Sequence, residues 1–303
     1  MDKVAAAYAR ISDVNDVPRN FGGLPREFSS RKVSRFVVIP APYEGSVSYG
    51  HGTSAGPGAI IEASRHMELF DAETGLSPFA EGIHTAKPVK AAEPREFLDL
   101  LRNRVSEVLA EGKMPVVLGG EHTISLAPVE AIAETETSFG ILHLDAHSDL
   151  RHDFDGSLYS HACVMRRCIE LGHVKSLSQV GIRSSSYFER TSLADPKVNT
   201  IFSHQVKGDW IEKALEPLPH DIYITLDVDV FDPSIMPATG TPEPGGLTWN
   251  DVMPLLREAF RTHHVLGFDI VELSPIKGLH HPQFTCAVLV HKMLCYELYF
   301  SRK

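Results

Sequence analysis

The sequence predicts an α/β protein of three layers, α-β-α, with a central, mainly parallel sheet, and three observations predict it. Short apolar runs alternate along the chain with stretches of helical periodicity, the pattern of a parallel sheet covered by helices on both faces. The runs at residues 139–144 and 222–226 are apolar or β-prone nearly throughout, as strands buried on both faces must be. Ionisable residues gather just after these runs, at the strand ends where such sheets bind their ligands. With 303 residues, 43% of them hydrophobic and 22% charged, the chain has the material for a sizeable core.

In chain order, residues 1–34 are polar and rich in Arg, Pro and Gly, and read as an irregular arm. A short strand follows at residues 36–40, then a turn-rich stretch at 41–58 whose glycine-rich end leads into a helix near Pro57, where a missing N–H costs nothing. That loop lacks the spacing of a phosphate cradle, so it reads as loop structure or substrate access. Residues 96–110 have helical periodicity, and 114–118 form a strand closed by Gly119 and Gly120. A helix opens around 121–125, followed by the strand at 139–144, an amphipathic helix at 161–171 and a strand at 179–182. The strand at 222–226, a helix at 250–261 with Pro254 tolerable only in its first turn, a strand at 265–271 and a long helix at 284–300 complete the chain. No repeat, low-complexity linker or charge block divides it, so residues 35–303 are expected to form one domain.

A formal charge of −10 disfavours nucleic acid and anionic membranes as partners and favours a cationic ligand. The first residues lack the apolar core of a signal peptide and no apolar run is long enough for a bilayer, which points to a cytoplasmic protein. Cys163, Cys168, Cys286 and Cys295 show neither metal-type nor disulfide-type spacing and are expected to be reduced, helix-borne packing residues.

The chemistry sits at the strand ends. Glu121 and His122 follow the strand at 114–118; Asp145, His147 and Asp149, spaced two apart, follow the strand at 139–144; Asp227 and Asp229 follow the strand at 222–226. If the chain stays extended past Leu144, the side chains of Asp145, His147 and Asp149 point to one side. Unpaired charges buried at a strand tip cost several kcal/mol each, so a divalent metal is expected among them. Any one of these patterns is ordinary, but three strands each finishing in metal-type ligands is hard to obtain by chance. Four aspartates and two histidines without a thiolate suit Mn²⁺, with Ni²⁺, Co²⁺ or Zn²⁺ admissible on geometry alone. Four carboxylates exceed what one catalytic ion usually takes, so two ions with bridging carboxylates are expected.

Gly119-Gly120-Glu121-His122, Asp145-Ala146-His147-Ser148-Asp149 and the segment DVDVFDPSIMPATGTPEPGG from Asp227 to Gly246 resemble the three signature segments of the ureohydrolases, the arginase and agmatinase family. PYEGSVSYGHGTSAGPGAI and the stretch from Gly267 to Pro275 are also similar, so the resemblance runs from about residue 36 to the C-terminus. It implies an arginase-like α/β fold, two Mn²⁺ per chain, hydrolysis of a guanidinium compound to urea and an amine, and a homotrimer or homohexamer. It also implies a division of ligands: His122, Asp145, Asp149 and Asp227 for one ion, Asp145, His147, Asp227 and Asp229 for the other. Glu272 matches the glutamate that pairs with the guanidinium, a role a carboxylate fills by a forked hydrogen bond. His161 matches the histidine that passes protons to the departing amine, and histidine titrates near working pH. Asp149 is placed to accept the hydroxide proton, and Thr241 to orient substrate.

Two further residues read as structural. His143 shares the strand parity of the ligands but lies deeper and is expected to support them; Asp232, before Pro233, is expected to hold a turn. The segment at 151–160 lacks the asparagine with which arginases hold the amino-acid head of arginine, and Phe154, Leu158 and Tyr159 make it more apolar. That favours agmatine, giving putrescine and urea. At residues 162–165, Ala-Cys-Val-Met stands where agmatinases usually carry Gly-Thr-Pro-Phe or similar. Other guanidino substrates therefore stay open: guanidinobutyrate, guanidinopropionate, guanidine or arginine. Arg151 or Arg183 would be the partner for a substrate carboxylate. A metal-binding relative without catalysis is the remaining alternative, disfavoured by the presence of all six ligands with His161 and Glu272.

Overall fold

The computed structural model describes residues 8, 17–136 and 138–301. Eight strands form one sheet in the order β2-β1-β3-β8-β7-β4-β5-β6, and every neighbouring pair is parallel. The strands are β1 Phe36–Ala41, β2 Ile83–Thr85, β3 Met114–Gly119, β4 Phe139–Leu144, β5 Val174–Ile182, β6 Val198–Phe202, β7 Asp221–Asp227 and β8 His264–Val271. Successive residues of one strand feed opposite faces, as a period of two requires. Phe36, Val38, Val116, Leu118, Leu142 and Leu144 pack with the helices Gly56–Ser64, Trp249–Thr262 and His281–Phe300. Val37, Ile39, Val117 and Ile141 pack with Pro94–Ala110, Leu126–Ala133 and Val164–Glu170. The three-layer expectation holds, and the sheet is parallel throughout.

The strand order brings the ionisable strand ends together. The chain builds β1 to β3 on one side and β4 to β6 on the other, then returns to insert β7 and β8 between β3 and β4. The carboxyl ends of β3, β8, β7 and β4 thus lie side by side at the centre of the sheet, where the winding reverses and ligands bind.

Several elements depart from the sequence-based expectation. Strands β2 and β6 and the helix Trp210–Leu215 were not expected; β2 has three residues, and β6 reads Val-Asn-Thr-Ile-Phe and is mostly half-exposed, so neither carries a continuous apolar signal. Residues 17–34 are more anchored than an irregular arm. Phe21 and Leu24 are fully buried, and their backbone amides bond to Thr85 Oγ1 at 2.9 Å and Asn20 Oδ1 at 2.6 Å. Residues 1–7 and 9–16 of that arm lie outside the described residues. Pro254 sits inside the helix Trp249–Thr262 rather than in its first turn. The missing N–H frees the carbonyl of Asn250, but both residues are exposed, so water can take the place of the bond. All four cysteines are free and buried on helical turns.

Candidate metal centre

Four adjacent strand ends supply the cluster. His122 opens a 3₁₀ turn directly after β3, and the backbone must pass close to the loop after β1 to reach it. A Cβ on Gly120 would lie 1.9 Å from the carbonyl oxygen of Tyr43, so only glycine fits there. Asp145, His147 and Asp149 follow β4, Asp227 ends β7 with Asp229 two residues on, and Glu272 follows β8.

The predicted ligands come together, but the stretch after β4 does not stay extended. Asp149 has φ +52, a left-handed conformation uncommon outside glycine, and this turn, not strand parity, brings its carboxylate back beside Asp145. Glu272 has φ +64, so two of the three non-glycine residues with positive φ among the described residues stand in this centre. Such strain persists only where the surroundings over-determine it, and it gathers at functional sites.

Nδ1 of His122 lies 3.0 Å from Asp145 Oδ2, 3.1 Å from Asp149 Oδ2 and 3.4 Å from Asp227 Oδ2. Nδ1 of His147 lies 2.9 Å from Asp229 Oδ2 and 3.5 Å from Asp145 Oδ1. Two groups of potential ligands therefore form here, His122-His143-Asp145-Asp149 and Asp145-His147-Asp229, with Asp145 in both and the ligand atoms of each within 4.8 Å of one another. Asp227 also accepts the backbone N–H of Asp229 at 2.8 Å, and Asp229 accepts that of Ala146 at 2.9 Å, which fixes both carboxylates.

Donor counting around His122 tests whether a cation fits. Thr225 Oγ1 donates its one proton to Asp269 Oδ1 at 2.7 Å, so toward His122 Nε2, at 2.9 Å, it can only accept. Nε2 carries a proton, so in the neutral ring Nδ1 is a bare lone pair. Burial lowers the pKa of His122, but Asp145, Asp149 and Asp227 outweigh it and raise it well above the usual range, so without a metal ion Nδ1 takes up a proton. That atom is buried, faces three carboxylates and has no hydrogen-bond partner. Positive charge is required at this nitrogen among the carboxylates, either a proton or a metal ion, and a Zn²⁺- or Mn²⁺-type ion is what imidazole, carboxylate and the count of donors suit.

The titration behaviour points the same way. Burial, followed by the charges of Asp229 and Asp145, drives the carboxyl pKa of Asp227 well above its usual range; burial and Asp145 raise that of Asp229. Burial lowers the pKa of His147, but Asp229 and Asp145 outweigh it and push the imidazole up to about 12. Without cations the centre can hold its charge only by taking up protons.

Supporting groups surround the ligands. Gln179 Nε2 donates to Nδ1 of His143 at 2.9 Å, so His143 donates from Nε2 to Asp145 Oδ2 at 2.8 Å, the supporting place its parity predicts. Asp232 holds a turn through Ser234, Gly245 and Gly246. Thr225, Asp269, Gln179, Ser46 and Glu121 carry no role that the sequence alone assigns. A polar residue inside an apolar strand was the available signal for Thr225 and Asp269, which face each other in register across β7 and β8.

His122, His147, Asp149, Asp227, Asp229, His161, Thr241 and Glu272 line one cleft, with Val47, Ser48 and Tyr49 of the loop after β1 forming a wall. Glu272 accepts the backbone N–H of His122 at 2.6 Å; burial first and then the charge of Glu121 raise its pKa well above the usual range. The cleft opens into a vestibule of about 340 Å³ that Arg151, Phe154 and Glu243 help to line. Arg151 lies over the Phe154 ring, 4.6 Å from its centre. Arg183 is not free for a substrate carboxylate: its guanidinium donates to the backbone carbonyls of Asp229 at 2.6 Å and Glu243 at 2.9 Å. No helix among the described residues is long and apolar enough to cross a membrane.

The model of the Arginase family matches residues 34–296, nearly the whole chain. The chain belongs to the arginase family. Among its arginase-family relatives, an N(1)-aminopropylagmatine ureohydrolase of Thermus thermophilus is 41% identical over 263 residues, 85% of this chain and 88% of that protein. One of Synechocystis is 35% identical over 296 residues, 92% of this chain and 96% of the relative. The crystal structure of the agmatine ureohydrolase of Thermoplasma volcanium superposes with a TM-score of 0.82 at 28% identity, covering 97% of this chain and 99% of that one. The arginase-like fold and an agmatinase-like ureohydrolase activity on guanidino C–N bonds follow from this membership.

Proposed function

We propose that this ureohydrolase uses two Mn²⁺ to hydrolyse an agmatine-type guanidine, a guanidinium on a decarboxylated, amine-bearing tail, to urea and the free amine. The observation that carries this reading is the pair of ligand groups joined at Asp145 around the bare Nδ1 of His122. His122, Asp145, Asp149 and Asp227 would hold one ion, and Asp145, His147, Asp227 and Asp229 the other. Two such cations, when bound, supply an activated solvent nucleophile near neutral pH.

The chain's own groups do the rest. Glu272 takes the guanidinium in a forked hydrogen bond, and a permanent cation there relieves the repulsion it feels from Glu121. Thr241 stands on the cleft wall, where its hydroxyl orients the bound group. One solvent oxygen ends on the urea carbon as the C–N bond to the tail breaks. The solvent protons leave through Asp149 and are delivered by His161 to the departing nitrogen, which would be a poor leaving group without them.

For the tail, Phe154 and the absence of asparagine at residues 151–160 support an amine in place of an amino-acid head. Agmatine satisfies this. The relatives at 35% and 41% identity favour the longer N(1)-aminopropylagmatine over agmatine as preferred substrate. The test is urea release by the Mn²⁺-loaded protein from both compounds, guanidinobutyrate and arginine. Activity on the two decarboxylated compounds, at least about 100-fold above arginine in kcat/KM, is expected; a missing partner for a buried polar or charged group is worth that much. If no guanidino compound yields urea with Mn²⁺, Ni²⁺ or Co²⁺, the reading fails.

A further inference from the structure

Glu121 is a fully buried carboxylate that the reaction described above does not use. Its Oε2 accepts the backbone N–H groups of Gly45 at 2.6 Å and Ser46 at 2.7 Å. Its Oε1 accepts the hydroxyls of Ser46 and Thr123, each at 2.7 Å. The hydroxyl of Ser46 has one proton and gives it to Glu121, so everything else it touches must donate to it. Two such groups belong to one residue: the backbone N–H of His161 at 3.0 Å and the ring Nδ1 of His161 at 3.1 Å. Because Ser46 can only accept there, the shorter of the two contacts at Nδ1 of His161 puts a proton on that nitrogen; the other, to the hydroxyl of Ser160, is 3.4 Å long. In the neutral ring the bare nitrogen is then Nε2, the other side of the imidazole, and His161 borders the cleft with the candidate ligands and Glu272.

We infer that Ser46 and Glu121 are positioning residues that fix the tautomer and the orientation of His161. The inference rests on the role proposed for His161. An imidazole held with Nδ1–H outward takes up and delivers a proton only at Nε2, so it stays aimed through both halves of the transfer. Free imidazole rings prefer the opposite tautomer, with the proton on Nε2, which is the wrong nitrogen for accepting one in the cleft. Ser46 and Glu121, which do not line the cleft, thereby act on the reaction through His161. Outer partners of this kind are worth about 10- to 100-fold in activity.

Two measurements test this. In the Mn²⁺-loaded full chain, Ser46→Ala should lower kcat about 10- to 100-fold with KM within about threefold and two metal ions retained. Ser46→Thr, which keeps the hydroxyl, should recover kcat to within a few-fold. A loss shared equally by the alanine and threonine variants, or one that tracks metal content, overturns the inference. Independently of any turnover, nitrogen-15 NMR of the histidine-labelled chain carrying diamagnetic Zn²⁺ reports the tautomer of neutral His161, assigned by its loss in His161→Gln. A proton on Nδ1 in the parent chain, shifting toward Nε2 in Ser46→Ala, supports the positioning role. A proton on Nε2 in the parent contradicts it, and does so even if urea chemistry proves not to be this protein's activity.

Discussion

Two of the places where this fold buries aspartates hold them in opposite ways. Asp71, beside the helix His281–Phe300, is 7% exposed and has a cation of the chain's own: Lys292 Nζ of that helix donates to it at 2.9 Å. Thr74 adds its backbone N–H at 2.8 Å and its hydroxyl at 2.6 Å. Burial would raise the pKa of Asp71, yet Thr74 and Lys292 together hold it below the usual carboxylate range. At the carboxyl ends of β4 and β7, Asp145, Asp227 and Asp229 are 0%, 3% and 2% exposed, and no Lys or Arg among the described residues forms an ion pair with them. There burial and mutual repulsion win at Asp227 and Asp229, whose carboxyl pKa values rise, while at Asp145 the histidines His143 and His122 outweigh burial and hold the carboxyl well below the usual range. The same side chain, buried in both places, is complete in one and incomplete in the other. The missing positive charge at the strand ends is the physical content of the metal centre.

The incomplete side should give the largest effect. Asp229→Ala removes a ligand from one of the two groups, and turnover should fall at least about 1,000-fold, the equivalent of about 4 kcal/mol of transition-state stabilisation. Metal analysis should show the loss of bound ion alongside the fall in urea release; full activity in this variant would refute its ligand role. At the complete side, Lys292→Met leaves Asp71 buried without its cation. Stability in denaturant should drop by about 3 kcal/mol while metal content and kcat stay at parent values. A fall in metal content there would mean that the two regions are not independent.

Acid separates the two regions further, because the shifts have opposite signs. The folded pKa of Asp71 is depressed, so its contribution is full above the unfolded value near about 4 and is lost only as pH falls through the lower folded value. In the metal-free centre, His147 and Asp227 instead hold protons to a higher pH than usual. Cations must displace those protons, so metal affinity should rise with pH, and calorimetry in buffers of different ionisation enthalpy should report proton release on Mn²⁺ binding. Binding without proton release would contradict the assignment of these pKa directions.

Much of the centre was legible because it rests on short-range pattern. The run Phe139–Leu144 is a strand over its predicted length, and ligands placed just past strand ends follow from the geometry of parallel sheets alone. What was not legible depends on tertiary contact. The turn at Asp149 replaces the extended run that the spacing suggested, because the left-handed backbone is enforced by the neighbours and not by the local sequence. Ser46 and Glu121 are 75 residues apart, and nothing near either one names the other. Edge strand β6, half-exposed and carrying Asn and Thr, lacks the apolar run that identified the central strands.

The most direct test is a count of bound ions. After saturation with Mn²⁺ and removal of excess, the parent chain should retain two manganese ions, and Asp145→Asn, which weakens the carboxylate shared by both ligand groups, should retain fewer. A parent chain that holds none, with its aspartates protonated in place of metallated, would contradict the dinuclear centre.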